Sequence, residues 1–101
     1  MSKVSVFTKF SCIEGKEEEA AEALATLVEA SKSAEGVEVY SYHRADDGTY
    51  WFFALMSSKE AADSHAENPE IQAAMPKMME VLDGMPEVYM ATPLAVNGLS
   101  I

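Results

Sequence analysis

The chain has 101 residues, of which 49% are hydrophobic and 24% are charged. This length and composition are those of one compact globular domain and leave no room for a second. A formal net charge of -10 offers no basic surface for phosphates, so we expect neither nucleic acid nor a membrane surface as a partner. We assign residues 1–95 to a single domain and residues 96–101 to a C-terminal tail.

Cys12 is the only cysteine, so neither an intrachain disulfide nor a cysteine-based metal cage can form. The N-terminus lacks the basic start and apolar stretch of a secretory signal, and no apolar run is long enough to span a bilayer. These features predict a cytoplasmic protein. Cys12 itself is interpreted as a small, half-buried apolar residue, with a redox-active thiol as the alternative.

The first predicted element is a strand over residues 3–10, where side chains alternate with a period of two. After Gly15 the apolar residues recur at helical spacing, with glutamates on the opposite side and in the first turn. Lys32 and Gly36 mark the end of this amphipathic helix.

A predicted hairpin follows the first helix. Residues 37–45 and 49–56 are rich in β-branched and aromatic residues, and the Asp47-Gly48 pair between them is a strong turn signal. Ser57 and Glu60 then match a capping box, which predicts a short helix that ends near His65.

A second helical segment is predicted to begin at Asn68, with Pro69 at its first helical position. Pro76 lies within its apolar stripe and is expected to kink or split the helix. The last predicted strand runs from Glu87 to Leu94.

The order β-α-β-β-α-β predicts an α+β fold, a ferredoxin-like βαββαβ sandwich with a four-stranded antiparallel sheet. The strand at residues 49–56 directs Phe52 and Met56 to one face of the sheet and Trp51 and Phe53 to the other. Helices can cover only one face, so we predict a homodimer in which two sheets pack face to face. A monomer that binds a ligand on the exposed face is the alternative.

Three short motifs carry a family resemblance: Gly15-Lys16, Glu35-Gly36-Val37 and the sequence SKEA at residues 58–61 before His65. With these motifs in order, residues 4–93 resemble the antibiotic biosynthesis monooxygenase domains, which are small proteins of the dimeric α/β-barrel class. The resemblance implies that two subunits form a dimeric α/β barrel, with a cleft between sheet and helices in each subunit. It also implies that His65 faces this cleft.

Two departures from related proteins bear on activity. Many family members have Glu-x-Trp just before the second helix, where this chain has Ala54 and Met56. Haem-degrading enzymes of the same fold use an asparagine in the first strand and a tryptophan before the helix. The chain has Thr8 near the first of these positions and Met56 or Leu55 near the second, so haem degradation is not expected.

The resemblance implies a cofactor-independent monooxygenase that acts on a quinol-like or polycyclic phenolic substrate, with no cofactor and no metal. This chemistry needs an apolar pocket and one base, and a histidine with a pKa of about 6.5 suits that role. We identify His65 as the candidate catalytic residue; a polar residue that offsets the helix dipole is the alternative. The candidate substrate-binding residues are Thr8, Phe52, Met56, Met75 and Met78.

Other interpretations stay open at this point. The chain could be a non-catalytic dimeric module that binds a small aromatic molecule, or an isomerase-type enzyme of the same fold. His43 is interpreted as structural, because its face of the sheet depends on the hairpin register. The tyrosines could orient a phenol by hydrogen bonding or serve only to form the sheet; they are Tyr40, Tyr42, Tyr50 and Tyr89.

Overall fold

A computed structural model describes residues 3–97 and confirms the predicted α+β, ferredoxin-like fold. The elements are β1 (Val4–Phe10), α1 (Glu17–Ser31), β2 (Val37–Arg44), β3 (Tyr50–Met56), α2 (Lys59–Glu67), α3 (Pro69–Val81) and β4 (Glu87–Ala91). The strands form one antiparallel sheet in the order β2-β3-β1-β4. Of the predicted tail over residues 96–101, residues 98–101 lie outside the described chain.

The helices pack on one face of the sheet and form the main core with it. Phe10 of β1 packs in one buried cluster with Leu24 and Leu27 of α1 and with Ile71 and Met78 of α3. Burying a side chain of this size stabilises a fold by about 1.5–3 kcal/mol. Within residues 3–97, no helix is both long and apolar enough to cross a lipid bilayer.

The break between α2 and α3 lies at Asn68, as predicted. The Asn68 side-chain oxygen accepts hydrogen bonds from the N–H groups of Glu70 at 2.8 Å and Ile71 at 3.4 Å. The start of α2 differs by one residue from the prediction, because Ser58 is its cap and accepts from the Ala61 N–H at 3.1 Å. The helix also continues past His65 to Glu67.

Of the kink or split predicted at Pro76, the split does not occur, since α3 is one helix from Pro69 to Val81. Pro76 is exposed, and its missing N–H removes only the hydrogen bond to the Gln72 carbonyl. Residues on both sides of Pro76, among them Ile71 and Met78, pack in the main core. This packing keeps the two halves in one helix.

The last strand ends at Ala91, three residues before its predicted end at Leu94. Pro93 has no N–H to donate to a strand ladder, and the chain leaves the sheet edge here. Residues of the segment 92–96 then lie beside Ser5 and Leu55, on the sheet face opposite the helices. Leu55 is only 1% exposed, so this segment covers one end of that face.

The remainder of the sheet face opposite the helices, here called the open face, is uncovered in the subunit. Phe7 is 40% exposed and Trp51 is 38% exposed on it. Phe53 lies beside Phe7, with ring centroids 5.2 Å apart. The alternation of β3 therefore directs Trp51 and Phe53 away from the helices and Phe52 towards them, as predicted.

Candidate functional site

An apolar cavity of about 200 Å³ lies between the sheet and the helices. The sheet contributes Thr8, Phe10, Tyr40, Tyr42, Phe52 and Val88. The helices contribute Leu27, His65, Ile71, Met75, Met78 and Met79. Leu82 and Pro86 complete the lining between α3 and β4.

Five of the six predicted site residues line this cavity; they are His65, Thr8, Phe52, Met75 and Met78. Strand pairing sets Thr8 of β1 directly opposite Phe52 of β3, while helical spacing places Met75 and Met78 on one side of α3. Met56 is not part of the lining. It is 2% exposed and packs with Ala54 and Ala62 in a second, smaller core cluster.

His65 lies in the last turn of α2, at the boundary between two surfaces. One side of this residue borders the apolar cavity, and the other borders an outer groove that includes Glu60 and Asn68. Its Nδ1 atom is buried and has no hydrogen-bond partner among residues 3–97. Burial lowers the pKa of His65 below its ordinary value, because it disfavours the charged imidazolium. The ring is therefore neutral at pH 7 and can accept a proton.

Tyr40 and Tyr42 form the aromatic wall of the cavity with Phe52. The two tyrosine hydroxyl oxygens are 3.3 Å apart, and the Tyr40 ring lies edge-on to the His65 ring at a centroid distance of 5.1 Å. Burial raises the pKa of both tyrosines, and the neighbouring Tyr40 adds to the effect on Tyr42. Both hydroxyls therefore stay protonated at neutral pH.

The sequence contains a partial signal for this tyrosine pair. Residues two apart on a strand share a face, so Tyr40 and Tyr42 had to lie on the same side of the sheet. Which side depends on the hairpin register, and the observed register pairs Tyr42 with Phe52. Tyr40 and Tyr42 thus face the cavity. The other two tyrosines do not line it, because Tyr50 stacks on Phe10 and Tyr89 is exposed.

The methionines form the opposite wall. Met78 is 4% exposed and belongs to the main core, whereas Met75 and Met79 are 39% and 47% exposed. The two exposed methionines place flexible, polarizable thioethers between the cavity and solvent. A flat ring in the cavity would lie between these thioethers and the aromatic wall.

Two other candidate groups lie away from the cavity. His43 is exposed on the open face, where its Nε2 is 2.9 Å from the Ser41 hydroxyl, so the sheet separates it from His65. Cys12 packs against the main core; burial, followed by the charge of Glu17, raises the pKa of its thiol. The described part of the chain brings no three His, Cys, Asp or Glu side chains together as a metal-binding group.

Solved structures share this fold at low sequence identity. A proposed antibiotic biosynthesis monooxygenase from Caulobacter crescentus is 21% identical, with a TM-score of 0.87 and coverage of 93% of this chain and 92% of that chain. A protein from Mycobacterium tuberculosis is 21% identical, with a TM-score of 0.85 and coverage of 94% and 98%. A conserved protein from Methanosarcina mazei is 18% identical, with a TM-score of 0.84 and coverage of 90% and 92%. These similarities establish the fold alone.

Among curated proteins, none matches the chain. The family model of the antibiotic biosynthesis monooxygenases matches residues 3–77. The matched region runs from β1 into α3 and includes the residues that bring Thr8, Phe52 and His65 to the cavity. The chain therefore belongs to the antibiotic biosynthesis monooxygenase family.

Proposed function

We propose that the protein is a cytoplasmic, cofactor-independent monooxygenase that oxidises a quinol-like or phenolic ring held in the cavity, with His65 as the base. The observation that carries this proposal is that the neutral, partly buried His65 lines an apolar cavity, while its buried Nδ1 has no hydrogen-bond partner among residues 3–97. Buried polar atoms are normally hydrogen-bonded, so an exception calls for a ligand or another explanation. The lone, protonated thiol of Cys12 suits a reducing, cytoplasmic setting.

The atoms and electrons of the proposed oxygen transfer balance when the substrate is a phenol that carries hydrogen on the ring carbon para to its hydroxyl. His65 accepts the phenolic proton, and the electron-rich phenolate reduces dioxygen as a C–O bond forms at that carbon. His65 returns its proton to the resulting peroxide. Loss of the ring C–H proton and cleavage of the O–O bond then release water and leave a quinone. Dioxygen accepts four electrons, and one of its atoms enters each product.

The apolar surroundings support this chemistry. No residue of the cavity lining, all of which falls within residues 3–97, is acidic or carries a lysine or arginine charge. Apolar walls reduce the contact of a reactive anion and its peroxide with water. The substrate supplies the reducing electrons, and the protein supplies the base and the apolar walls.

The size of the cavity favours a small substrate. An engineered apolar cavity of about 150 Å³ binds benzene, and pockets for drug-sized ligands begin at about 300 Å³. A cavity of about 200 Å³ is therefore suited to one or two fused rings. We propose a two-ring phenol or quinol, which is the smaller end of the range that the family resemblance implies.

We further propose that the subunit acts as a homodimer through its open face. Exposed Phe7 and Trp51, beside half-buried Phe53, form an apolar surface that would lose contact with water in a face-to-face dimer. Because the cavity lies on the other side of the sheet, the dimer would leave the cavity free. A monomer that binds a ligand on the open face is the alternative.

A second candidate function is a non-catalytic module that binds the same class of aromatic molecule. It is favoured by Ala54 and Met56, which replace the Glu-x-Trp of many relatives and are both buried in the second core cluster. An isomerase-type enzyme of the same fold would likewise retain the cavity and His65. Both alternatives predict binding without consumption of oxygen.

The test is oxygen uptake by chelator-treated protein with 1-naphthol and with one-ring and three-ring phenols. We expect uptake with 1-naphthol that is unchanged by the chelator, and a quinone product that carries one atom from isotopically labelled dioxygen. Binding of the phenols without uptake would contradict the oxygenase and support the binding module. Uptake abolished by the chelator would contradict cofactor independence.

A further inference from the structure

We propose that the Tyr40 and Tyr42 hydroxyls form a hydrogen-bond donor site that selects a ring bearing an uncharged acceptor oxygen, such as a ketone or a phenol. This inference rests on the proposed function for the idea that an aromatic ligand occupies the cavity. It adds the residues that recognise the ligand and the functional group that they recognise.

The first argument is a count of donors. Each tyrosine hydroxyl has one hydrogen to donate, and a single contact of 3.3 Å joins the two oxygens. Whichever hydroxyl donates in this contact, the other keeps a hydrogen with no acceptor among residues 3–97. A half-buried donor beside an apolar cavity gains most from a ligand that brings an acceptor.

The second argument is that the pair is held in place. The Phe52 ring lies 4.7 Å from the Tyr40 ring and 4.9 Å from the Tyr42 ring, centroid to centroid. Tyr40 also contacts His65, and Tyr42 contacts Phe10. Because these rings stand on paired strands, the hydroxyls lose little further freedom when a ligand binds, and a positioned donor binds better than a mobile one.

The third argument is charge. Burial keeps both tyrosines protonated, so the pair offers donors and no negative charge at neutral pH. The lining residues named above include no lysine or arginine that could pair with a carboxylate. An uncharged oxygen therefore fits the site, whereas a carboxylate would lose its hydration without gaining a counter-ion.

The test compares 1-tetralone, a two-ring ketone, with tetralin, which has the same ring skeleton without the oxygen. Equilibrium binding is measured for the wild-type protein, for Tyr40→Phe, for Tyr42→Phe and for the double variant. Tyr50→Phe is the matched control, because Tyr50 is on the same sheet face but does not line the cavity.

Losing both hydroxyls should weaken 1-tetralone binding roughly five- to tenfold and leave tetralin binding unchanged. The single variants identify which hydroxyl reaches the ligand, and Tyr50→Phe should bind both compounds like the wild type. Equal loss for the two compounds, unchanged 1-tetralone binding in the double variant, or no 1-tetralone binding by the wild type would overturn the proposal.

A second measurement does not depend on how well the double variant folds. The infrared C=O stretch of 1-tetralone bound to the wild type should lie below its frequency in a hydrocarbon solvent, because a donor polarises the carbonyl. An unshifted band would overturn the proposal. If 1-tetralone binding depends on the two hydroxyls but the protein takes up no oxygen with 1-naphthol, only the oxygenase proposal is refuted. If the protein takes up oxygen with 1-naphthol but 1-tetralone binding does not depend on the hydroxyls, only the donor site is refuted.

Discussion

The Tyr40 ring lies edge-on to the His65 imidazole, with ring centroids 5.1 Å apart and planes inclined at 63°. This contact joins β2 to α2 at the wall of the cavity. The Tyr40 ring covers part of the imidazole and helps to exclude water from it. The contact therefore contributes to the burial that lowers the pKa of His65.

Acid should destabilise the folded protein through His65. Its folded pKa is below the ordinary value of about 6.5, so the unfolded chain binds more protons between these two values. The contribution of His65 to the free energy of unfolding is fully present above a pH of about 6.5, and it is lost as the pH falls towards the pKa of the folded state. We expect the free energy of unfolding in urea to decrease across this window.

The two histidines provide the control for that experiment. His65→Gln should show a shallower decrease than the wild type, whereas His43→Gln, on the open face, should keep the wild-type slope. If wild type and His65→Gln show the same slope, the burial of His65 is not the cause of the acid sensitivity.

Gly36→Ala should destabilise the protein far more than Gly15→Ala. Both glycines have positive φ, which costs an alanine about 1–2 kcal/mol. At Gly36, an added Cβ would lie 2.5 Å from the Ala61 Cβ and 2.8 Å from the Ser57 Oγ, whereas at Gly15 nothing lies within 4 Å. Gly36→Ala therefore has to displace α2 as well. Similar losses of unfolding free energy for the two variants would disprove this close approach.

The cap of α2 can be tested by comparing two adjacent serines. Ser58→Ala removes the acceptor for the Ala61 N–H and should lower the free energy of unfolding by about 0.5–2 kcal/mol. Ser57→Ala removes no hydrogen bond of its side chain among those described and should cost less. A larger effect of Ser57→Ala, measured by urea denaturation, would favour the capping box that the sequence predicts.

The proposed dimer makes a separate prediction for the open face. Phe7→Lys puts a charge beside Phe53, so it should shift the protein towards monomer in sedimentation equilibrium. Ala21→Lys, on the exposed side of α1, should leave the association unchanged. A wild type that sediments as a monomer would rule out the dimer, and a Phe7→Lys dimer as stable as the wild type would place the interface elsewhere.

The hydrophobic periodicity of the sequence and its helix-capping residues were sufficient to predict most of the fold. Alternation assigned Phe52 and Trp51 to opposite faces of β3, and Asn68 marked the break between α2 and α3. The local sequence does not show whether Ser57 or Ser58 caps α2. The Ser57 N–H donates to the Gly36 carbonyl at 2.8 Å, which holds Ser57 to the end of the sheet and makes Ser58 the first residue free to cap α2.

The site was less predictable because it depends on contacts between distant elements. The turn closes with the Ala45 N–H donating to the Thr49 carbonyl at 2.7 Å, and this pairing fixes the register that turns Tyr42 inwards and His43 outwards. The Asp47-Gly48 signal locates the turn but does not set that register. Met56 has the predicted face, yet Ala62 of α2 packs over it and separates it from the cavity.

The central claim is that His65 removes the substrate proton in a reaction with dioxygen. The most direct measurement is the rate of oxygen uptake with 1-naphthol, compared among wild type, His65→Gln and His43→Gln after equal 1-naphthol binding has been established. We predict a loss of about 100-fold or more for His65→Gln, in keeping with the contribution of general bases, and a wild-type rate for His43→Gln. Equal rates for the wild type and His65→Gln would contradict the assignment of His65 as the base.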